Sequence, residues 1–103
     1  MTHAELVEKA RAAGIRQCIG TTWKNRDGKN MVASAHQENA DQVGECCEIG
    51  LLQWGVAKGY VTPLEITAMA ARIMSKSNDK SVVRLNDVDL YTFDQFSELV
   101  DQP

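Results

Sequence analysis

Residues 62–65 read Thr-Pro-Leu-Glu and stand at the head of an apolar pattern. A threonine hydroxyl at a helix N-cap accepts a hydrogen bond from the third helical amide, and a glutamate at that third position accepts one from the amide of the threonine. Proline occupies the first helical position, where its missing N–H is harmless. The stretch therefore predicts a helix over about residues 63–75, with a buried stripe made of Ile66, Met69, Ala70 and Ile73.

The same capping pattern recurs near both ends of the chain, at Thr2 with Glu5 and at Thr92 with Gln95. The first pair predicts a helix over residues 3–13, because Gly14 suits the position just past a helix end. The second pair predicts a final helix whose inward side chains are Phe93, Phe96, Leu99 and Val100.

Another apolar pattern precedes Thr62. Residues 43–58 carry apolar or small side chains at helical spacing, which predicts a helix ending at Gly59; these are Val43, Cys47, Gly50, Leu51 and Trp54. Because four residues connect it to the helix at 63–75, the two helices are expected to form an antiparallel or steeply crossed pair.

Three segments favour extended structure. Residues 16–23 and 31–35 flank Asn25-Arg26-Asp27-Gly28, a turn signal typical of a hairpin. Residues 82–85 (Val-Val-Arg-Leu) predict a third strand, ended by Asn86 and Asp87. The predicted class is therefore α+β in one domain over 1–103: a small antiparallel sheet of about three strands against four helices, in the order α-β-β-α-α-β-α.

Composition narrows the setting of the protein. The 103 residues contain no apolar run of about 18 residues and no basic-then-apolar beginning, so we expect no membrane span, no signal peptide and a cytoplasmic location. Three cysteines, an odd number, predict reduced thiols.

The net charge of −3 is unevenly distributed. Residues 1–29 carry six basic side chains against three acidic ones, whereas residues 85–103 carry no basic side chain. The acidic strip of that second segment consists of Asp87, Asp89, Asp94, Glu98 and Asp101. This strip would repel nucleic acid, so we expect a partner that meets it to be basic or indifferent to charge.

The turn region also holds a basic cluster made of Trp23, Lys24, Arg26 and Lys29. An aromatic ring among cations can stack on a nucleotide or anchor a protein interface. A solvated turn with Trp23 folded back on the core is the other interpretation.

The soft metal ligands of the chain are Cys18, Cys46, Cys47, His3 and His36. Adjacent cysteines on a helix point about 100° apart and do not converge on one ion. We therefore predict no metal, no cofactor and no catalytic residue. A thiol nucleophile at Cys46 or Cys47 with His36 as base, oriented by Glu45 or Glu48, is the enzymatic alternative.

The segment Asn86-Asp87…Asp89 also offers oxygen ligands of the kind that divalent cations prefer. Asn and Asp in a turn that ends a strand bond their own backbone, and this second interpretation is favoured.

Several short motifs together resemble a family of short uncharacterised proteins of phages and bacteria. They are Cys18-Ile19-Gly20, residues 25–28, Cys47-x-Ile49-Gly50-Leu51-Leu52, and residues 82–87 followed by Thr92. Members of that family often carry Trp where Leu85 stands and have a more arginine-rich first helix. The resemblance implies a phage or mobile-element setting and no known reaction.

The predicted function is a small phage-encoded interaction module that binds and inhibits a host or defence protein. Its predicted binding surface comprises Trp23, Lys24, Arg26, Lys29, Asp87, Asp89, Asp94 and Glu98. A small enzyme or ligand binder using the thiols, and a nucleotide- or RNA-binding hairpin, are the alternatives. The opposite charges of the two ends also permit a homodimer.

Overall fold

The computed structural model describes residues 1–32 and 37–103 and confirms the α+β class. The strands are β1 Arg16–Gln17, β2 Trp23–Asn25, β3 Asn30–Met31 and β4 Val43–Cys46. The α-helices are α1 His3–Ala12, α2 Glu48–Ala57, α3 Pro63–Lys76, α4 Val82–Asp87 and α5 Phe93–Asp101, and a 3-10 helix spans Gln37–Gln42. Within the described ranges, no helix has the length and apolar character needed to cross a membrane.

All three predicted capping boxes are confirmed. The hydroxyls of Thr2, Thr62 and Thr92 accept hydrogen bonds from the third helical amide at 3.1–3.2 Å. In return, the side chains at that third position accept from the threonine amides at 2.8–3.0 Å. Each box is built from residues three apart, so its signature can be read from the local sequence.

The predicted helix over 43–58 is wrong in its first turn, which is strand β4. Strand β4 pairs in parallel with β1 and antiparallel with β2, in a four-stranded mixed sheet of order β1-β4-β2-β3. A Cβ at Gly44 would lie 2.8 Å from the Cα of Arg26, so the glycine permits this close pairing. Helix α2 begins only after Cys47, whose extended backbone forms the N-cap.

The predicted strand over 82–85 is also wrong, because these residues form helix α4. The Ser81 hydroxyl caps this helix by accepting from the Arg84 amide at 3.1 Å. Val82 and Leu85 are buried, three residues apart on one face. With α4 a helix, the sheet takes its fourth strand from residues 43–46, and the predicted all-antiparallel sheet of about three strands is corrected to a mixed sheet of four.

The two strands of the predicted hairpin are shorter than expected. The segment 16–23 is divided into β1 and the start of β2, with Gly20 in left-handed backbone (φ 80°) between them. The turn at 25–28 is confirmed, since the Gly28 amide donates to the Asn25 carbonyl at 3.0 Å. Of the predicted strand 31–35, residue 31 ends β3 and residues 33–35 lie outside the described ranges.

Two tryptophans stand at the centre of the core. The Trp23 indole is fully buried and donates to the Gly50 carbonyl at 2.8 Å. The Trp54 indole donates to the Ala40 carbonyl at 3.2 Å. Because both rings are buried with their N–H groups bonded, they hold α2 against the sheet and the 3-10 helix.

Replacing Gly50 by Ala is expected to lower the free energy of unfolding by about 1–3 kcal/mol, the usual range for overpacking. The added Cβ would stand 2.1 Å from the Thr22 carbonyl oxygen, a backbone atom that moves only with the sheet. Gly55→Ala is the matched control, since its Cβ would meet flexible side-chain atoms of Leu6 and Val61 at 2.8–2.9 Å. Urea unfolding should show the larger loss of stability for Gly50→Ala. Equal losses for the two variants would contradict a rigid contact between residue 50 and the Thr22 carbonyl.

Candidate functional site: a groove along helix α4

Three adjoining depressions surround helix α4. The first, of about 390 Å³, lies between α2, α3 and α4 and is lined by Ile49, Leu52, Ile66, Met74 and Val83 among others. The second, of about 140 Å³, shares Ile49 and Val83 with the first and adds Cys47, Asn86 and Asp87. The third, of about 210 Å³, shares Asn86 and adds Ile19 and Leu90. The first two depressions share walls, and the third lies across the buried Asn86 from the second. We call the three together the α4 groove.

The α4 groove is lined mainly by apolar side chains, several of them exposed. Val83 is 50% exposed, Leu90 62% and Ile19 54%, and Met74 also reaches solvent. Among the described lining residues, Asp87 is the only charged one. Clustered exposed apolar surface of this kind marks an interaction or ligand site more often than isolated exposed residues do.

Leu90 is held in a backbone conformation that leucine rarely adopts. Its φ is 56°, in the left-handed region, which costs about 1 kcal/mol or more for a side chain with a Cβ. The next residue is tied down, since the Tyr91 amide donates to the Leu85 carbonyl at 2.9 Å. The strained backbone therefore keeps an apolar side chain at the edge of the groove.

Asn86 forms a rigid floor between the second and third depressions. It is 1% exposed, and its side-chain oxygen accepts from the Gln17 side chain at 2.8 Å and the Glu48 amide at 3.0 Å. Its side-chain nitrogen donates to the Cys18 carbonyl at 2.9 Å and to Asp87 at 2.7 Å. These bonds connect β1, α2 and α4, so the floor is held in place by contacts within the protein.

The segment Asn86-Asp87…Asp89 ends a helix, so the predicted strand-ending turn is corrected. Asn86 points inward, whereas the Asp89 carboxylate lies 3.7 Å from Lys80 and 4.0 Å from Arg84. Across residues 1–32 and 37–103, no group of three or more His, Cys, Asp or Glu side chains is arranged to hold a metal ion.

The predicted acidic strip is dispersed over the surface. Asp87 lines the groove, while Asp94 on α5 pairs with Arg11 at 2.9 Å and Glu98 is exposed on α5. The Asp101 carboxylate instead accepts from the amides of His3 and Ala4, both at 2.9 Å, and so caps helix α1.

The predicted basic cluster does not present an aromatic ring, because Trp23 is 0% exposed. The Arg26 guanidinium donates to the carbonyls of Ala13 and Asp41 at 3.2 and 3.4 Å. Lys29 is exposed and Lys24 half-buried. Trp23 is therefore removed from the predicted binding surface, and Arg26 has a structural role in joining loops.

The thiols of the enzymatic alternative are inside the protein. Cys46 is fully buried and burial raises its pKa well above the usual range. Cys47 caps α2 by accepting from the Gly50 amide at 3.4 Å, yet burial still raises the pKa of its thiol. His36, the predicted base, lies outside the described residues. Thiolate is the nucleophile, so raised pKa values weigh against this chemistry.

A buried polar cluster that the sequence analysis missed joins three helices. His3 Nε2 lies 2.6 Å from Glu48 Oε2, and His3 Nδ1 lies 2.6 Å from the Ser97 hydroxyl. The residue types and contacts are those of a Ser-His-Glu triad, but His3 and Glu48 are fully buried and Ser97 is only 9% exposed. A substrate cannot reach them, so the cluster fastens α1 to α2 and α5. The predicted helix over 43–58 also contained Glu45 and Lys58, so Glu48 did not stand out in the sequence as a buried carboxyl.

Burial raises the pKa of Glu48, and the hydrogen bond with His3 opposes this only in part. The folded protein therefore binds more protons than the unfolded chain between the two pKa values of this carboxyl. Stability from Glu48 is fully present below the unfolded value, about 4.3, and is lost as pH rises through the higher folded value.

Urea unfolding should show that the stability of the wild type relative to Glu48→Gln falls as pH rises from about 4 to about 8. Glu98→Gln changes an exposed carboxyl of α5 and serves as the control. We expect the stability of the wild type relative to this variant to change little over the same pH range. If the wild type gains stability over Glu48→Gln with rising pH, the buried carboxyl is stabilised in its charged form instead.

Iodoacetamide labelling near neutral pH should leave Cys46 unmodified and modify Cys18 slowly, since the pKa of Cys18 is raised to about 11. Mass spectrometry of the labelled peptides gives the rate at each thiol, and labelling in urea shows the reactivity of all three when exposed. Rapid labelling of only Cys46 or only Cys47, at a pH well below the pKa of an ordinary thiol, would restore the enzymatic alternative.

No protein-family model, curated protein or solved structure matches the chain. The resemblance to the phage and bacterial family therefore stays a prediction.

Proposed function

We propose that the protein is a small interaction module that binds a segment of a partner protein in the α4 groove. The observation that carries the proposal is the α4 groove, whose described lining residues include the exposed Val83, Leu90 and Ile19 and a single charged side chain, that of Asp87. Such walls gain free energy when a partner's apolar side chains displace water from them.

The occupant is an amphipathic segment of another protein, with apolar side chains toward the groove and a basic residue near Asp87. Asp87 lines the second depression, while the described lining residues of the first depression include no charged side chain. An acidic residue placed against Asp87 would be disfavoured by like-charge repulsion. Asp89 adds little to this effect, because its carboxylate lies beside Lys80 and Arg84.

The biological setting of the proposal comes from the family resemblance. A phage-encoded module of this kind would inhibit a host or defence protein by occupying a surface that the host protein uses. The lining of the groove indicates only the chemistry of the partner segment, which is apolar with a basic residue at one end.

Neither alternative function is favoured by the arrangement of the residues. The RNA-binding hairpin needed Trp23 as a stacking surface, and this ring is inside the core. The enzymatic reading needed a reactive thiol, and burial raises the pKa of both Cys46 and Cys47.

The test compares two Val→Glu variants in capture from host lysate. Val83→Glu places a carboxylate in the groove wall, whereas Val32→Glu changes a valine that is 84% exposed and absent from the groove lining. We expect a partner captured by the wild type and by Val32→Glu but lost with Val83→Glu.

The captured partner is then identified, purified and titrated. Binding should be at least about tenfold weaker to Val83→Glu, equivalent to about 1.4 kcal/mol, and Asp87→Asn should reduce its dependence on salt. Equal binding to both Val→Glu variants would contradict the proposal. So would sedimentation showing that the wild type forms a dimer which Val83→Glu abolishes, since the groove would then hold a second copy of the chain.

A further inference from the structure

Cys18 and Cys47 lie opposite each other at the ends of two paired strands. The parallel pairing of β1 with β4 places Gln17 opposite Cys46, so the next residues along the two chains are Cys18 and Cys47. The Cys18 amide donates to the Cys46 carbonyl at 2.9 Å, which continues the ladder up to this pair. The two backbones are therefore held together on one side of the thiol pair.

The side-chain amide of Asn86 holds the same two backbones together on the other side. In a regular parallel ladder the Glu48 amide would donate to the Cys18 carbonyl. Here the amide of Asn86 lies between these groups, since its oxygen accepts from the Glu48 amide at 3.0 Å and its nitrogen donates to the Cys18 carbonyl at 2.9 Å. The pair of cysteines is therefore fixed between a direct hydrogen bond and one relayed by Asn86.

The alternation of side chains along the strand separates Cys47 from Cys46. Cys46 faces the core, where it is fully buried and opposite Trp23. Cys47 keeps an extended backbone, and successive side chains of extended backbone point to opposite faces, so Cys47 and Cys18 share the other face. Cys18 is half-buried there and Cys47 is 8% exposed.

The two thiols are close enough for the charge of one to act on the other. Burial raises the pKa of the Cys18 thiol to about 11, and the Cys47 thiol is the next largest cause of the increase. Neighbouring strands lie about 4.7–4.9 Å apart, within the Cα separation of about 4.4–6.8 Å that a disulfide spans.

We propose that Cys18 and Cys47 form a reversible disulfide when the protein meets an oxidised small thiol such as glutathione disulfide. The Cys18 thiolate attacks one sulfur of glutathione disulfide and releases the first glutathione. The Cys47 thiolate then attacks the Cys18 sulfur of the mixed disulfide and releases the second. In each step one S–S bond breaks and one forms; in sum the two protein thiols are oxidised, and two glutathione molecules take up their protons.

The raised pKa of Cys18 slows this exchange without preventing it. The rate depends on the fraction of thiolate, whereas the equilibrium depends on the reduction potential of the pair relative to glutathione. The sheet holds the two sulfurs at a high effective concentration, which favours the bridge over the mixed disulfide. The bridge ties the N-terminus of α2 to β1 whether or not a partner occupies the α4 groove.

The test equilibrates the protein with mixtures of reduced and oxidised glutathione at about pH 8, where an ordinary thiol is partly ionised. After an acid quench, free thiols are alkylated in urea and the tryptic peptides are analysed by mass spectrometry. Trypsin releases Cys18 within residues 17–24, and it releases both other cysteines within residues 30–58. We expect a bridged pair of these peptides that joins Cys18 to Cys47, with Cys46 alkylated.

The same equilibration in urea measures the contribution of the folded sheet. We expect the equilibrium constant for forming the Cys18–Cys47 bridge to be at least about tenfold larger in the folded protein than in the unfolded chain, because folding raises the effective concentration of the thiols.

Substitutions at the three cysteines assign the roles. Cys47→Ser should stop at the mixed disulfide of Cys18 with glutathione, and serine is a preferred N-cap residue that keeps the start of α2 intact. Cys18→Ser should form no bridge. Cys46→Ala is the control and should form the bridge as the wild type does. If Cys46→Ala folds poorly, fragmentation of the wild-type peptides distinguishes Cys46 from Cys47.

A bridge in the folded wild type that joins Cys46 to either other cysteine, or that joins two copies of the chain, would overturn the proposal. So would a wild type that stops at the mixed disulfide, a Cys18 that does not react with glutathione disulfide, or an equilibrium constant that is the same in urea. None of these outcomes involves a partner protein, so the capture comparison of Val83→Glu and Val32→Glu tests the proposed function separately.

Discussion

The close contact between helix α2 and strand β2 is the constraint on which the rest of the structure depends. Gly50 leaves no room for a side chain beside the Thr22 carbonyl, and the Trp23 indole donates to the Gly50 carbonyl at 2.8 Å. This contact sets the direction in which α2 leaves the sheet. The direction of α2 fixes the positions of Cys47, Ile49 and Gln53, which line one wall of the α4 groove. The contact at Gly50 therefore positions that wall.

Buried polar groups then connect distant parts of the chain to α2. Asn86 binds the Glu48 amide, and the Glu48 carboxyl binds His3 near the N-terminus. Burying these polar groups is unfavourable unless they are hydrogen-bonded, and leaving a buried donor or acceptor without its partner typically costs about 1–3 kcal/mol. The pairs therefore specify which helix lies against which, in addition to any stability they add.

Helix α4 is short, and its surroundings explain the groove. Its six residues bury Val82, Leu85 and Asn86 and leave Val83 half exposed. A six-residue helix does not fill the space between α2 and α3, so an apolar trough remains beside it. The left-handed Leu90 extends the trough beyond the end of α4 at a cost in local backbone energy.

The amino-acid sequence alone determined the features that need only neighbours. The three threonine caps and the turn at 25–28 depend on residues three or four apart, so their chemistry is readable from the chain. Tertiary structure decided that residues 43–46 form a strand and residues 82–87 a helix. These apolar segments are too short for their hydrophobic spacing to distinguish the 3.6-residue period of a helix from the two-residue period of a strand. It also decided the contact of His3 with Glu48, 45 residues away. Such contacts arise only when burial brings remote segments together, and no local pattern encodes them.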